Sequence, residues 1–263
     1  MDKFAGISVI RMEISNNVIK WVYSLSQKKN RQKERCFVAE GTKCVLDTVS
    51  SFEVKTVFAT RDWIDAYASQ LHTAVTEATR PQLERMSMLK TAPDVLAVYQ
   101  MPEWVLADDV LLQNLSIVLD GVQDPGNLGT IIRIADWFGI RHVICSEDTA
   151  DVFNPKTVQA TMGAISRVEV TYCNLPQLFD KFRGKLPVYG TFLDGRNIYD
   201  EPLSGVGFIV MGNEGKGISK KLEKYMTDRL LIPSYPSGRV TSESLNVGMA
   251  TAVVVGEFRR RMM

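Results

Sequence analysis

Three short polar segments in the second half of this 263-residue chain hold side chains that can do chemistry. The first covers residues 119–129 and leads into a predicted helix, residues 130–138, for which Asn127 is the predicted N-cap. The apolar residues of that helix share one side and leave Arg133 outside it, so we expect Arg133 to face solvent or a substrate. The alternative is an exposed ion pair with Asp136, three residues further on, which would contribute little.

The second segment, residues 211–219, is rich in glycine and places Glu214 in a turn. A lysine that follows Gly215 suggests a phosphate-binding P-loop, but that motif requires Gly where Val210 stands and Ser or Thr where Gly217 stands. What remains is a turn that lets the backbone approach a ligand closely and holds one carboxylate beside it. Alternatively, Glu214 only complements the dipole of the helix that follows.

The third segment begins with Ile232-Pro233-Ser234 and continues through Ser244 and Asn246. Small polar side chains here open the last helix, which we predict over residues 243–261. These side chains are either part of a functional site or simple caps that bind the free amides at the start of a helix.

Apolar, strand-like runs alternate with helical patterns along the whole chain. In the second half the predicted strands cover residues 116–119, 142–145, 168–172, 188–192, 206–211 and 230–232. Neighbouring parallel strands need crossover connections of about helix length, so this alternation predicts an α/β fold with a mostly parallel sheet covered on both faces. The polar segments then follow strands, where open α/β sheets bind their ligands.

The first half is also predicted to be α/β. Helical periodicity follows Ser15 and Thr79, which are both placed as N-caps, and residues 54–59 and 95–99 are predicted strands. A stretch without a clear period, residues 101–109, separates the two halves. We therefore predict two domains, residues 1–105 and residues 106–263.

The charges of the chain nearly cancel, with 31 Lys and Arg against 30 Asp and Glu. Attraction to nucleic acid must therefore come from local clusters. One cluster in the first half is suited to sequence-independent contacts with RNA phosphates, although a run of charge is more often a solvated face. It consists of Lys28, Lys29, Arg31, Lys33 and Arg35.

Composition also argues against several classes of protein. The four cysteines lie far apart without a CxxC pair, and the chain has only two histidines, so we expect no metal site. Reduced cysteines in strand-like runs fit the cytosol better than a disulfide scaffold. Apolar runs are too short for a membrane span, and charges near the N-terminus interrupt any signal peptide. We predict a soluble, cytoplasmic protein.

Together, the three segments resemble the three motifs of the SpoU group, also called TrmH, of the SPOUT RNA methyltransferases. The matching residues, in motif order, are Asn127, Gly129, Arg133 and Phe138-Gly139; Gly212-Asn213-Glu214-Gly215 with Gly217; and Ile232-Pro233 with Ser244-Leu245-Asn246-Val247. In the first half, Lys29-Asn30-Arg31 and Phe37-Val38-Ala39-Glu40-Gly41 look like the substrate-binding domain of many of these enzymes, a ribosomal-protein-like αβα module. The chain departs from the motifs at Ser234, where Met is common, in the longer stretch 235–238, and at Gly248, where Ser is frequent.

The resemblance implies transfer of a methyl group from S-adenosylmethionine to a ribose 2′-hydroxyl of RNA. Arg133 would lie at the catalytic centre, and we expect an electrostatic role for it because a guanidinium stays protonated in proteins. The other implied catalytic residues would orient groups or relay a proton, and they are Asn127, Glu214, Ser244 and Asn246. Backbone groups around four further residues would hold the cofactor: Thr191, Gly212, Ile232 and Leu245.

The same resemblance implies a trefoil knot where the loops of the second and third motifs thread. It also implies a homodimer, for which the apolar side of the last helix is the candidate surface. Ribosomal RNA is the expected substrate because of the N-terminal module, with transfer RNA as the second choice. Two other hypotheses remain: a catalytically inactive RNA-binding protein, which the intact motifs oppose, and a nucleotide-binding oxidoreductase, which the absence of GxGxxG opposes.

Overall fold

A computed structural model describes residues 2–4, 7–11, 13–236 and 242–263. From residue 2 to residue 100 the elements are β1 (Asp2–Phe4), β2 (Ile7–Ile10), α1 (Asn16–Ser24), α2 (Lys28–Glu34), β3 (Cys36–Glu40), α3 (Thr42–Thr48), β4 (Val54–Ala59), α4 (Arg61–Tyr67), β5 (Val75–Glu77), α5 (Arg80–Met86) and β6 (Val95–Gln100). Ser15 caps α1 and Thr79 caps α5, as predicted, because each side chain accepts a hydrogen bond from a backbone amide of the first turn.

The elements from residue 108 onward are α6 (Asp108–Gln113), β7 (Leu115–Asp120), α7 (Pro125–Trp137), β8 (His142–Cys145), α8 (Pro155–Thr161), β9 (Glu169–Tyr172), α9 (Leu175–Phe182), β10 (Val188–Asn197), β11 (Gly207–Gly212), α10 (Lys220–Glu223), β12 (Asp228–Leu231) and α11 (Val247–Arg260). The last helix is shorter than predicted, because the side chain of Asn246 caps it and residues 243–246 precede it. Within the described residues, every helix is too short or too polar to cross a membrane.

The chain forms two compact units that do not follow chain order. The first unit consists of Met1–Glu103 and Asp151–Ser166, and the second of Trp104–Ala150 and Arg167–Met263. The predicted division at residue 105 contained no such returning segment. The segment Asp151–Ser166 contributes helix α8, which packs against β3. The ring centroids of Phe153 and Phe37 lie 4.8 Å apart.

The sheet of the first unit is mixed, with the order β1-β2-β5-β4-β6-β3. Strand β5 pairs in parallel with β2 and β4, and the other pairs are antiparallel. Helices α1 and α5 contribute Ile19, Val22 and Leu83 to a core that also contains Val38 and Val98 of the sheet. The apolar spacing along these helices produces this buried side.

The sheet of the second unit has six parallel strands in the order β12-β10-β11-β7-β8-β9. The predicted α/β class and parallel sheet are therefore confirmed. Phe179 and Phe182 of α9 cover one face and pack against Phe208. Because all six strands run in the same direction, the residues that follow them collect at one carboxyl edge.

Helix α11 packs against α7 in the second unit. A Cβ atom at Gly248 would lie 3.1 Å from the side chain of Thr130, so glycine suits this close approach better than serine would. The guanidinium of Arg259 donates to the carbonyls of Phe138 and Gly139 at 2.8 and 3.2 Å, so it binds the end of α7. Arg260 and Arg261 donate to buried Glu257, and these hydrogen bonds lower the pKa of Glu257 to about 2.

Candidate active site

The three polar segments meet at the carboxyl edge of the parallel sheet. Asp120 ends β7 and lies in register with Gly212 at the end of β11, so the first and second segments leave the sheet side by side. The third segment follows β12 and leads to α11, which packs against α7. Strand direction alone was therefore sufficient to predict that these segments come together.

The first segment differs from its prediction at the start of α7. The helix begins at Pro125, and the carboxylate of Asp124 accepts a hydrogen bond from the amide of Asn127 at 2.8 Å. The predictions of Asn127 as N-cap and of a helix from residue 130 are therefore wrong. Proline suits the first helical position because its missing N–H would have no intrahelical partner there. Since Asp124 caps the helix, the side chain of Asn127 is available for other bonds.

A chain of hydrogen bonds joins one residue from each segment. The Nδ2 of Asn246 donates to the Oδ1 of Asn127 at 2.9 Å, and the Nδ2 of Asn127 donates to the Oε1 of Glu214 at 2.9 Å. These partners are 119 and 87 residues apart in the sequence. Three of the five predicted catalytic residues are thus in direct contact.

The direction of this chain is determined by the last helix. The Oδ1 of Asn246 caps α11 by accepting from the amides of Gly248 and Met249, at 2.9 and 3.3 Å. Its Nδ2 must therefore donate, so Asn127 accepts with its oxygen and donates with its nitrogen. Glu214 ends the chain as an acceptor. The site thus presents a carboxylate whose position is held by two oriented amides.

The turn that carries Glu214 is stabilised by Asn213, which sequence analysis did not assign to the site. Its Oδ1 accepts from the amides of Gly215 and Lys216 at 3.0 and 3.1 Å, and its Nδ2 donates to the carbonyl of Gly121 at 2.7 Å. A Cβ atom at Gly212 would lie 2.2 Å from the backbone of Gly217, so this crossing requires glycine.

Buried Asp120 supports the same loop from below. This residue is 5% exposed, and its Oδ2 accepts from the amide of Ser219 at 2.7 Å. Sequence analysis missed Asp120 as well. The available signal was a carboxylate at the last position of an otherwise apolar strand, because a buried charge must find a hydrogen-bonding partner.

Arg133 and Ser244 stay outside this chain of bonds. Both are exposed, and neither side chain has a hydrogen bond or ion pair with any residue that the structure describes. Arg133 follows Asn127 by six residues, which corresponds to about 9 Å of helix rise and about 120° of rotation. The alternative ion pair with Asp136 is wrong, because Asp136 binds Arg167 at 2.8 Å.

Two of the predicted cofactor residues lie at the carboxyl ends of strands, and a third lies within the strand between them. Thr191 lies in β10 next to Leu230 of β12, Gly212 ends β11, and Ile232 follows β12 directly. Leu245 lies in the loop before Asn246 with its side chain 53% exposed. Residues 237 and 238 of the longer stretch 235–238 lie outside the described residues. The described residues include no group of His, Cys, Asp and Glu arranged to hold a metal ion.

An adenine ring and its ribose suit the chemistry of this edge. Leu193, in the irregular part of β10, is 72% exposed, and Leu245, before α11, is 53% exposed. A planar purine gains from contact with such surface. Strand ends also supply backbone donors and acceptors at the place where α/β sheets bind nucleotides. The residues present therefore fit S-adenosylmethionine.

The predicted RNA-binding cluster in the first unit is smaller than expected. Lys28, Lys29 and Lys33 are exposed on α2, but Arg31 is only 1% exposed. Its guanidinium binds Asp151 at 2.6 Å and the carbonyls of Leu25 and Ser26 at 2.8 Å each. The prediction that Arg31 contacts RNA is therefore wrong, because its charge is buried and already paired. The exposed guanidinium of Arg35 binds Glu103 at 2.8 Å.

Comparison with known proteins identifies both parts of the chain. Residues 114–256 match the model of the SpoU rRNA Methylase family, and residues 16–97 match the MRM3-like substrate binding domain. The chain is 33% identical over 258 residues to the 23S rRNA (guanosine(2553)-2′-O)-methyltransferase RlmP of Bacillus subtilis, covering 93% of this chain and 96% of that protein.

Solved structures agree over nearly the whole chain. A TrmH-family protein from Porphyromonas gingivalis is 40% identical, with a TM-score of 0.84 and coverage of 95% of this chain and 100% of that one. An rRNA methyltransferase from Sinorhizobium meliloti, with S-adenosylmethionine bound, is 28% identical, with a TM-score of 0.84 and coverage of 97% and 99%.

A parallel α/β sheet, three motif loops at its carboxyl edge and a separate substrate-binding unit define an RNA methyltransferase of the SPOUT class. The chain belongs to the SpoU rRNA methylase family. The predicted family, its enzyme class of RNA ribose 2′-O-methyltransferase and its cofactor, S-adenosylmethionine, are confirmed.

Proposed function

We propose that the protein methylates the ribose 2′-hydroxyl of a guanosine in 23S ribosomal RNA, in the cytoplasm. The hydrogen-bonded chain Asn246–Asn127–Glu214 carries this proposal, because it links all three motifs at the nucleotide-binding edge of the sheet. The choice of RNA is supported by the B. subtilis relative, which is similar along nearly its whole length. Transfer RNA remains the alternative substrate. A protein that only binds RNA would have no need of this arrangement.

The reaction requires activation of a poor nucleophile. S-adenosylmethionine supplies a methyl group on a positively charged sulfur. With it bound, the ribose oxygen would replace sulfur on the methyl carbon, leaving S-adenosylhomocysteine, and the hydroxyl proton would pass to solvent. Glu214 and Ser244 fix the site or relay that proton, and Asn127 and Asn246 hold Glu214 in position. Alignment of the reacting atoms contributes as much as charge, because a preorganised site avoids loss of entropy at the reacting step.

Arg133 supplies positive charge at the reacting oxygen or at the phosphate next to it. A guanidinium stays protonated in proteins, so it stabilises developing negative charge and does not accept the proton. Backbone groups around Thr191, Gly212, Ile232 and Leu245 hold the cofactor. The trefoil knot of the family would place the loops of the second and third motifs around it.

The protein acts as a homodimer in which Arg133 completes the site of the partner subunit. Two observations support this. Arg133 is about 9 Å of helix rise from Asn127 in its own chain, and it shares a face of α7 with Trp137, one turn further on. Trp137 is 85% exposed, and Met249 of the adjacent α11 is 62% exposed. Aromatic and methionine side chains are enriched at interfaces between proteins.

Substitution of Trp137 by glutamate is expected to convert the dimer into monomers, because an interface cannot bury an unpaired carboxylate without a large cost. Light scattering at micromolar concentration measures the mass. The matched control is Tyr23→Glu, since Tyr23 is an exposed aromatic residue, 54% accessible, of the first unit. Wild-type protein with the mass of one chain would contradict both the dimer and the shared site.

The RNA substrate is tested by mapping 2′-O-methylated nucleotides in cells with and without the protein. We expect one guanosine of 23S ribosomal RNA to lose its methyl group without the protein and to regain it with the wild type. Asn127→Ala removes both hydrogen bonds of the chain. Cells that carry this variant should regain at least about tenfold less methylation of that guanosine than cells with the wild type. Asn114→Ala, at an exposed asparagine beside α6, is the control. Loss of a methyl group from transfer RNA alone would favour the alternative substrate. An unchanged methylation pattern in both RNAs would overturn the proposal.

A further inference from the structure

Three lysines lie in or just after the turn that carries Glu214, and we call them the turn lysines: Lys216, Lys220 and Lys221. All three are exposed, and none has a side-chain hydrogen bond or ion pair within the described part of the chain. Two other cations of the second unit are paired with carboxylates. Arg196 binds Asp228 at 3.0 Å and Arg229 binds Asp194 at 2.6 Å.

The backbone positions of the turn lysines are well defined. Asn213 and Gly217 exchange two backbone hydrogen bonds, of 3.0 and 2.9 Å, so Glu214 and Lys216 share the tip of one tight turn. Their Cα atoms are at most about 7.6 Å apart, the reach of two extended residues. Lys216 therefore lies beside the catalytic carboxylate.

The other two turn lysines lie on the single turn of α10. This helix is held by the bond from the amide of Ser219 to Asp120 and by the fully buried Leu222. Its one acidic residue, Glu223, binds Arg229 at 3.0 Å. The nearby carboxylates are thus engaged, and the surface from Lys216 to Lys221 has positive charge without a described partner.

We propose that the turn lysines bind phosphates of the RNA strand that carries the target ribose. This proposal rests on the proposed function. Every internal ribose of RNA has a phosphate on each side, so a strand whose 2′-hydroxyl reaches Glu214 must pass its phosphates close to the tip of this turn. Lysines bind phosphates without regard to base sequence and release counterions, which provides affinity and fixes the register of the strand.

The test compares wild-type protein with the triple variant Lys216→Gln, Lys220→Gln and Lys221→Gln. Both carry S-adenosylhomocysteine, and the probe is a protein-free transcript of 23S ribosomal RNA. We expect a fall in affinity of about tenfold or more, and a decrease of about 2 in the slope of log affinity against log salt, from roughly 0.7 per single-strand contact. Cofactor affinity, measured by calorimetry, should stay unchanged.

The matched control is Lys185→Gln. Lys185 is exposed and lies between α9 and the start of β10, so it is at the opposite, amino edge of the sheet. Its loss should leave both the affinity and the salt slope at the wild-type values. If the loss of positive charge anywhere on the protein were enough, Lys185→Gln would instead lower the affinity and the salt slope by about one third of the effect of the triple variant.

Two results would overturn the proposal. One is a triple variant with the affinity and salt slope of the wild type. The other is a defect seen only with assembled ribosomal particles, which would assign the surface to an acidic ribosomal protein. Failure of the proposed function is separate, since it would appear as wild-type protein that binds the transcript but transfers no methyl group to it. If transfer RNA is the substrate, the same comparison of affinity and salt slope is made with transfer RNA as the probe.

Discussion

Arg133→Ala is expected to slow single-turnover methyl transfer by roughly a hundredfold or more, because it removes a preorganised charge at the reacting oxygen. The fold should be retained. Arg133 is exposed and has no ion pair with the described residues, so the free energy of unfolding should change by no more than about 0.5 kcal/mol. Arg133→Lys should rescue little, since a point charge on a flexible stem does not reproduce the planar fork of a guanidinium.

The measurement uses saturating RNA and excess enzyme, which separates transfer from binding. Arg141→Ala is the control. Arg141 is an arginine of the same unit whose side chain is 72% exposed, and its ion pair with Glu169 lies at the start of β8 and β9, away from the carboxyl edge. Its loss should leave the rate unchanged. Full single-turnover activity of Arg133→Ala would show that the catalytic centre has been placed wrongly.

Asp151→Ala is expected to lower the free energy of unfolding of the first unit by about 3–5 kcal/mol, because it leaves the buried guanidinium of Arg31 without its counter-ion. Arg31 is 1% exposed in this pair and Asp151 is 15% exposed. Two carbonyls would still accept from Arg31, but neither carries a full charge. The double substitution Arg31→Met with Asp151→Leu should cost less than the single change, since no charge is then buried.

Urea unfolding followed by circular dichroism, with hydrogen exchange of the β3 amides, measures this loss. The control is Glu103→Ala, which breaks the exposed pair between Arg35 and Glu103 and should cost at most about 1 kcal/mol. Equal effects of the two substitutions would mean that the Arg31–Asp151 pair does not stabilise the first unit.

Much of the second unit could be predicted because its signals are local. Apolar runs that alternate with helical patterns located all six strands of its sheet to within a few residues, for example β8 over His142–Cys145. The start of α7 was harder, because Asp124 and Asn127 are both good caps. Pro125 favours Asp124, since proline belongs in the first turn, and that signal was overlooked.

Side-chain environments were not predictable from local sequence. A run of five cations does not reveal that Arg31 is buried, because its partner Asp151 lies 120 residues away. The contacts between Asn127, Glu214 and Asn246 also depend on long-range packing, although strand order correctly placed their loops at one edge. The mixed pairing in the first sheet has the same origin, since register and direction are set by tertiary contacts.

The segment Asp151–Ser166 makes the order of synthesis differ from the order of folding. A nascent chain that has emerged as far as Glu103 contains the whole sheet of the first unit, but not α8, Phe153 or Asp151. At translation rates of roughly 5–20 residues per second, the missing segment follows about 3–13 s later. During that interval Arg31 lacks its counter-ion Asp151, and Phe37 lacks its contact with Phe153. The first unit therefore cannot complete its fold until residues 151–166 have been synthesised.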